Sequence, residues 1–408
     1  MKNIILFIAV FSINCFFIFS GILGLEFNDS NSNLVYIAYN FFIAIIIYII
    51  YLKHITNYGL TSRLEPLIYF LIPYSIILLF FLGILFKGYL GNQEAIWFGY
   101  FILWSVPAIL TAIIIDNENR YLSFNRLIEF FMLIASLNNI LTILLPALWG
   151  TYDRSISLLN YQAASYIAAF SFGLSIYFLF FNKNHTNFSF LRNKLYLLFL
   201  SIISIFNLIS VILPGGRGAL VLSVLYLLLT ILFLLKFKYY KSLLYIVMVL
   251  TIFYFSFPTL LNNSSINTGF KRATEFLGDG LRINWAGTSD RDLVYSNVIS
   301  LISENPIWGY GIFSYWNYSP NPHNIFLEFM LSGGILYSGL MSIVLLLIIF
   351  KVFRLIKFNS SDLIYLYILI FPLTILMFSG SYLITSEFWF ITTLILLKSR
   401  KAIKVEIK

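Results

Sequence analysis

Residues 217–236 read RGALVLSVLYLLLTILFLLK. Between the terminal Arg217 and Lys236 the segment holds no charged residue, and a helix needs roughly 20 apolar residues to cross a bilayer core about 30 Å thick. Apolar runs of this kind recur along the 408 residues, of which 60% are hydrophobic and only 11% are charged. A soluble domain carries about 25% charged residues. The composition therefore excludes a water-soluble globular protein and predicts an all-α integral membrane protein.

Twelve apolar runs are candidates for transmembrane helices. They lie at about 3–24, 34–52, 67–86, 95–115, 127–149, 161–181, 195–213, 219–235, 242–261, 323–350, 363–379 and 384–397. The first run is too long for a signal-peptide core, so we expect it to be a retained span. We expect residues 1–408 to form a single polytopic membrane domain.

The basic residues predict the orientation, because Lys and Arg collect on the cytoplasmic side of a membrane. With the N-terminus inside, 19 of the 26 basic residues are cytoplasmic and 7 lie on the outer face. Both termini are therefore predicted to be cytoplasmic. The net charge of +9 is then a topology signal, and no nucleic-acid partner is expected.

The longest connection, at about 262–322, separates the ninth and tenth runs on the predicted outer face. Long ordered loops are uncommon and are usually functional. Within this loop, Ser289 can cap a helix that starts near Asp290 and ends before Pro306. Its apolar residues fall on one face, which predicts a helix lying along the membrane surface.

Arg217 is a candidate ligand for phosphate. It follows Gly215 and Gly216, which let the backbone turn tightly, and it precedes a helix whose first amides can bind an anion. Its planar and permanently charged guanidinium suits a phosphate group. The alternative is a hairpin turn whose arginine extends to the lipid headgroups.

Arg291 is a second candidate on the predicted outer face. It is flanked by Asp290 and Asp292, so a local salt bridge is the alternative to a substrate contact. Three other basic residues of the long loop can bind anionic lipid or a glycan phosphate, and their spacing does not rank them. They are Lys271, Arg272 and Arg282.

His323 is the one histidine on the predicted outer face. His54 and His185 are cytoplasmic in this topology, so the three cannot share a metal ion, and no other metal motif is found. Asn321 and Pro322 favour a helix start with His323 in its first turn. The helix dipole there disfavours the imidazolium form, which leaves a neutral ring able to accept a proton. The alternative is an interfacial histidine that anchors the span.

Glu328 follows His323 by about a turn and a half of helix. It can face the same cavity as His323, or it can be a structural hydrogen-bond partner. Ionisable groups inside a membrane are costly and are often functional. Glu129 and Glu387 are the other two glutamates near the ends of predicted spans.

The segment from Arg291 to Tyr337 resembles the signature of the O-antigen ligase and O-antigen polymerase superfamily. That pattern has an Arg, a Pro-x-x-Gly-x-Gly segment, and a His-Asn pair with a Gly eleven residues after the His. The matching residues are Arg291, Pro306, Gly309, Gly311, His323, Asn324 and Gly334, followed by Tyr337. Arg217-Gly218-Ala219 resembles the superfamily's other recurring Arg. Ser332 and Tyr337 depart from the usual Glu and Gly, which leaves the subfamily open.

The resemblance implies a GT-C-like membrane glycosyltransferase that uses an undecaprenyl-pyrophosphate-linked glycan. It implies no metal and no cofactor. The catalytic residues that it implies are Arg217, Arg291 and His323. The substrate-binding residues expected beside them are Arg272, Arg282, Asn324 and Glu328.

Three functions are consistent with these features. A polymerase would join lipid-linked repeat units of O-antigen or capsule, and we favour it because the chain is rich in Phe (43) and Tyr (28) and divergent polymerases are numerous. A ligase would transfer the finished glycan to lipid A-core. A flippase is the third, although it should show internal repeats and charges at the midplane. The expected partners are undecaprenyl-pyrophosphate-linked donor and acceptor glycans, membrane lipid and a chain-length regulator.

Overall fold

The computed structural model describes most of the chain as α-helix. The described residues are 1–23, 29–58, 77, 80, 81, 85, 91–152, 161–181, 194–275, 291–358 and 360–406. They contain no strand. They form two compact units: unit 1 is Met1–Ser12, Asp29–Phe124 and Thr288–Lys408, and unit 2 is Ile13–Asn28 and Asn125–Gly287.

The helices are numbered along the described part of the chain. They are α1 (Lys2–Val10), α2 (Ser12–Leu23), α3 (Asp29–Tyr58), α4 (Asn92–Asn117), α5 (Tyr121–Leu148), α6 (Tyr161–Phe180), α7 (Lys194–Ile212), α8 (Arg217–Lys236), α9 (Tyr240–Leu261), α10 (Ser264–Thr274), α11 (Arg291–Glu304), α12 (Ile325–Phe358), α13 (Leu363–Phe378) and α14 (Ser386–Glu406). Helices α4 and α5 each contain a π-helical turn, at Phe101–Ser105 and Ile140–Leu144.

The prediction of a membrane protein built from helices is confirmed. Among the described residues, seven helices are long and apolar enough to cross a membrane, and the pair α1 and α2 can count as an eighth span. Every predicted apolar run overlaps a helix except 67–86, which lies almost entirely outside the described residues. The protein is therefore a multi-pass membrane protein, and the number twelve stays a prediction.

The first apolar run, expected to be a span at 3–24, is interrupted in the structure, where α1 and α2 form a bent pair. Helix α1 ends at Val10 and α2 begins at Ser12, with Phe11 in a non-helical conformation between them. The break leaves carbonyls without their helical donors. The Ser386 hydroxyl donates to the Val10 carbonyl at 2.8 Å, which satisfies one of them inside unit 1.

Helix α12 is broken where the segment 306–311, which contains Gly309 and Gly311, crosses it. Gly333 and Gly334 have non-helical backbone angles within its 34 residues. The segment 306–311 lies against this break and pairs with it through its backbone. The hydrogen bonds are Tyr310 N to Leu331 O at 2.7 Å, Gly311 N to Ser332 O at 3.0 Å and Ile335 N to Pro306 O at 2.9 Å.

The glycines of the motif are explained by this contact. Gly334 has φ +63° and Gly309 has φ +60°, a region that L-residues with a side chain rarely adopt. A Cβ on Gly334 would lie 2.1 Å from the Ile307 carbonyl oxygen, and one on Gly309 would lie 2.6 Å from the Leu331 carbonyl oxygen. The Pro-x-x-Gly-x-Gly segment and Gly334 therefore fix the loop onto α12.

Helix α11 is the helix that was predicted after Asp290. It spans Arg291–Glu304 and buries Val298 completely against the apolar core of unit 1. Val294 and Leu301 pack against the same core from the same face. The predicted cap, Ser289, and Asp290 lie outside the described residues.

In unit 2, helix α10 packs directly on the turn before Arg217. A Cβ on Gly269 would lie 2.3 Å from the Ile212 carbonyl oxygen and 2.5 Å from that of Leu213. Only glycine permits so close an approach of two backbones. The Asn263 side chain caps α10 and so fixes where it begins. The helix thus positions its last turn beside the start of α8.

Candidate functional site

The candidate site of unit 1 is built around three consecutive residues. Phe378 is the last residue of α13, and Ser379 and Gly380 follow it. The Phe378 carbonyl accepts from the Arg291 guanidinium, the Ser379 backbone contacts the His323 ring, and the Gly380 carbonyl accepts from the Asn321 amide at 2.9 Å. Sequence reasoning missed this segment, because backbone groups carry no residue signature. The small residues Ser379-Gly380-Ser381 between two apolar runs were the available signal.

His323 precedes helix α12, so its predicted place in the first helical turn was wrong. Its backbone is left-handed, with φ +53°. The Asn321 side chain accepts from the His323 N–H at 2.8 Å, which fixes a turn before the helix. The cap is Asn324, whose side-chain oxygen accepts from two N–H groups of the first turn at 3.0 and 3.3 Å. Asn321 does not cap the helix, because its side-chain oxygen already accepts from the His323 N–H in the preceding turn.

The His323 ring presents one ring nitrogen for a ligand. Its Nδ1 is buried and has no hydrogen-bond partner among the described residues, and the ring also contacts the Ser379 backbone. Burial lowers the pKa of His323 below its usual value of 6.5, the nearby Arg291 charge lowers it further, and the Ser379 carbonyl acts against both. The expectation of a neutral imidazole stands, but its main cause is desolvation by burial.

Arg291 is held by backbone and aromatic contacts. Its guanidinium donates to the Phe378 carbonyl and lies 5.9 Å from the centre of the Phe378 ring. The salt bridge to Asp292 that was its alternative explanation is not formed in the described part of the chain, and Asp290 lies outside it. The charge of Arg291 is therefore not neutralised by a carboxylate among those residues.

Glu328 is a structural hydrogen-bond partner in this structure. It is completely buried. Its carboxylate accepts from the Tyr315 hydroxyl at 2.5 Å, from the Ser381 hydroxyl and from the Tyr382 N–H at 3.2 Å. These contacts tie α12 to the loop before it and to the segment after α13. Of the two alternatives that the sequence left open, the geometry favours the structural one.

The Tyr315 phenol is itself affected by this buried network. Burial raises the pKa of Tyr315 well above its usual value, and the charge of Glu328 raises it further. The phenol thus stays protonated and acts as a donor to the carboxylate. The contact fixes the 314–317 turn relative to α12.

Arg217 lies in unit 2, at the first position of α8. Its Nε donates to the Arg272 carbonyl at 3.4 Å, and its terminal nitrogen pairs with Glu275 at 3.4 Å. Its side chain is 17% exposed. A cation beside the last carbonyls of α10 interacts favourably with that helix dipole. The geometry is that of an ordered cation at a tight turn, whereas the alternative predicted a side chain extending freely to lipid.

Arg272 adds a second cation to this part of unit 2. Its guanidinium lies 3.9 Å from the centre of the Tyr161 ring, a distance typical of a cation–π contact. Lys271, beside it, is exposed. Arg282 lies outside the described residues. The structure thus brings Arg217 and Arg272 together within unit 2.

Unit 1 separately brings together the other predicted residues. Arg291, His323 and Asn324 lie around the carbonyls of 378–380 and the start of α12, with Glu328 buried one turn below. Asn321 was predicted only as a cap, and its role in holding His323 became visible only in the structure.

Comparison with known protein families gives a match to part of the chain. The model of the family described as O-antigen ligase matches residues 202–336. No curated protein and no solved structure matches the chain. The matched third of the sequence includes every site residue predicted from the sequence, from Arg217 to Glu328, together with Gly309 and Gly334, whereas Phe378, Ser379 and Gly380 lie outside it. Over that segment, the resemblance to the O-antigen polymerase and O-antigen ligase superfamily is confirmed.

Proposed function

We propose that this protein polymerises undecaprenyl-pyrophosphate-linked oligosaccharide repeat units into O-antigen or capsular polysaccharide. The hydroxyl of one glycan attacks the anomeric carbon of the next, and undecaprenyl pyrophosphate leaves. The reaction takes place at the outer side of the bacterial inner membrane, with both chain termini in the cytoplasm. The family match supports a membrane glycosyltransferase, and the 19-to-7 distribution of basic residues supports this orientation.

The observation that carries the proposal is the pairing of His323 with Arg291 around the 378–380 carbonyls. A proton acceptor and a permanent cation are what glycosyl transfer from a pyrophosphate requires of a protein. The two side chains reach this place from different parts of the long loop, and each is held by a backbone carbonyl. Such anchoring orients reacting groups before substrate arrives.

His323 serves as the general base in this mechanism. Its Nδ1, which has no partner among the described residues, takes the proton of the attacking hydroxyl as the hydroxyl oxygen bonds to the anomeric carbon. The lowered pKa keeps the ring neutral, and therefore competent, at physiological pH. Positioned bases of this kind contribute about 10²- to 10⁴-fold in rate.

Arg291 stabilises the leaving group. As the bond between the anomeric carbon and the pyrophosphate breaks, the electron pair and the negative charge pass to the pyrophosphate oxygens. Its guanidinium has N–H groups beyond the one that meets Phe378, and these suit a phosphate. For Arg217 we propose a donor-binding role as well, supported by its place in the matched family segment and its ordering beside Arg272.

A cellular test uses a strain in which the chromosomal copy of this protein is deleted. Electrophoresis of its surface glycan distinguishes the two reactions. Single repeats attached to lipid A-core identify a polymerase, whereas full-length polymer that remains unattached identifies a ligase. The family match supports the ligase equally, and the ligase differs only in its acceptor.

Complementation with variants then tests the site. His323→Ala and Arg291→Lys should be expressed normally but should fail to restore the polymer. His323→Ala lacks the general base, and Arg291→Lys lacks the planar guanidinium that can donate two hydrogen bonds to a phosphate. Arg354→Lys, in the same unit near the other end of α12, is the matched control and should restore it. Full activity of His323→Ala would refute the base assignment. His323→Gln, which donates a hydrogen bond but accepts no proton at neutral pH, separates a base from an orienting residue.

A further inference from the structure

A row of stacked aromatic side chains lies in unit 1 at the predicted outer end of α4. It is called the aromatic stripe here and consists of Trp316, Trp97, Tyr100, Trp104 and Tyr36. Trp97, Tyr100 and Trp104 are three and four residues apart on α4, so they lie on the same face of the helix. Over these seven residues the helix rises about 10 Å.

The rings of the stripe contact one another in sequence. Trp97 and Trp316 stack with centroids 3.8 Å apart and planes 13° apart, and Tyr100 and Trp104 stack at 4.5 Å and 11°. Trp97 meets Tyr100 edge-on at 5.5 Å, and Tyr36 meets Trp104 at 5.5 Å. Trp97, Trp316, Tyr100 and Tyr36 are each only half-buried. The stripe is therefore continuous, and four of its five rings are partly accessible.

Polar groups fix the end of the stripe that is formed by Trp97 and Trp316. Buried Glu94 accepts from the Gly91 N–H at 3.1 Å and from the Asn317 amide at 3.3 Å. These bonds fasten the 314–317 turn to the start of α4, which sets Trp316 on Trp97. The result is an ordered aromatic surface with the exposed Asn317 amide at its rim, as in sites that bind polar ligands with an apolar face.

The inner end of the stripe holds a polar atom without a partner. Trp104 is 7% exposed, and its indole N–H makes no hydrogen bond to any described residue. A buried indole N–H usually finds an acceptor, because leaving it unpaired costs free energy. A ligand with hydroxyl groups along its edge would supply that acceptor.

One hydrogen bond links the stripe to the candidate site. The Tyr315 ring stacks on Trp316 at 5.2 Å, and its hydroxyl donates to Glu328 in the first turn of α12. The residue before the cap of that helix is His323. The stripe and the start of α12 are thus joined within the same unit through Tyr315.

We infer that the aromatic stripe binds the sugar rings of the glycan. A pyranose ring has one or two faces of C–H groups and an edge of hydroxyls. The C–H groups carry partial positive charge and pack on the negative face of an aromatic ring, while the hydroxyls pair with polar groups at the rim. This inference rests on the proposed function, for which it adds a binding surface for the repeat unit beyond its pyrophosphate.

The alternative is an interfacial belt in which aromatic rings face lipid. The two are separated by binding measurements on the full-length protein in detergent. The probe is the repeat-unit oligosaccharide released by mild acid from the host's own lipid-linked pool, so it carries neither lipid nor pyrophosphate. Saturation-transfer NMR reports which sugar protons touch the protein, and calorimetry gives the dissociation constant.

Trp97→Ala and Trp316→Ala should each weaken oligosaccharide binding about three- to tenfold, the loss expected for one stacked ring. Trp97→Phe keeps a ring and the fold, so its affinity should be intermediate. Trp308→Ala is the matched control, because Trp308 is 75% exposed on the same loop and lies outside the stripe. The saturation signal should be strongest on the C–H protons of one ring face.

The inference is overturned if Trp97→Ala, Trp97→Phe and Trp316→Ala bind as tightly as the wild type, or if Trp308→Ala weakens binding as much as they do. It is also overturned if the wild type binds no oligosaccharide. Failure of the proposed function looks different. In that case the stripe variants lose oligosaccharide binding as expected, while the wild type transfers no sugar from a lipid-linked donor.

Discussion

Replacing Gly334 by alanine should destabilise the protein strongly, although the change adds a single methyl group. The residue has φ +63°, and its new Cβ would lie 2.1 Å from the Ile307 carbonyl oxygen and 2.6 Å from the Trp308 nitrogen. Both are backbone atoms, which cannot rotate away as a side chain does. The loop at 306–311 must therefore move off α12.

The expected cost follows from two contributions. Gly334 has φ +63° and ψ −161°, a region essentially restricted to glycine, and a side chain there costs about 1–3 kcal/mol. Separating the segments disturbs three backbone hydrogen bonds, each worth about 0.5–1.5 kcal/mol net. Together these predict a loss of about 3–7 kcal/mol, which is a large part of the 5–15 kcal/mol that a folded protein has in total.

Gly339→Ala is the matched control in the same helix. A Cβ at Gly339 would meet no atom within 4 Å, and alanine is favoured over glycine in a helix by roughly 0.5–1 kcal/mol. Thermal unfolding of the purified proteins in detergent, followed by size-exclusion chromatography, should show a much lower midpoint for Gly334→Ala and an unchanged or higher one for Gly339→Ala. Equal midpoints for Gly334→Ala and the wild type would refute the backbone crossing.

Three further predictions concern the site and the orientation. Because burial and Arg291 lower the pKa of His323, its neutral form persists below pH 6.5, so the acid limb of kcat/KM of the wild type should lie below 6.5. The pKa of the His323 imidazole, followed by NMR without any need for activity, should move upward in Arg291→Gln, and an unmoved pKa would exclude coupling of the two groups. Glu328→Ala leaves three buried hydrogen-bond donors unpaired, at a cost of about 1–3 kcal/mol each. It should therefore unfold at a clearly lower temperature than Glu328→Gln, which keeps an acceptor. Equal midpoints of thermal unfolding for the two variants would exclude the network. Reporter tags at positions 270 and 185 should lie on opposite sides of the membrane, with 270 outside, and a cytoplasmic tag at 270 would remove the proposed mechanism.

The helices were largely predictable because apolar length and the positions of Lys and Arg are local properties of the sequence. The break at Phe11 was not, since nothing in its run of apolar residues marks a bend. It is stabilised by Ser386, which is distant in sequence. The same holds for α12, where two glycines in a row were visible but the loop that crosses them was not.

The site was predictable in its residue types and less so in its geometry. The chemistry of Arg291 and His323 could be read from their place on the outer face and from the motif. The cap was assigned to Asn321, although Asn324 holds it, because either asparagine satisfies the local rule and only tertiary contacts distinguish them. The carbonyls of 378–380 come from a different part of the chain, so no local pattern connects them with His323.

The most direct test is a reconstituted reaction. The purified protein is mixed with a defined undecaprenyl-pyrophosphate-linked repeat unit, in parallel with and without lipid A-core, and the products are identified by mass spectrometry. The account predicts lipid-linked dimers and longer chains with released undecaprenyl pyrophosphate, formed without lipid A-core and absent with His323→Ala. Transfer that requires lipid A-core would identify a ligase, and recovery of only unreacted single repeats under both conditions would contradict glycosyl transfer by this site.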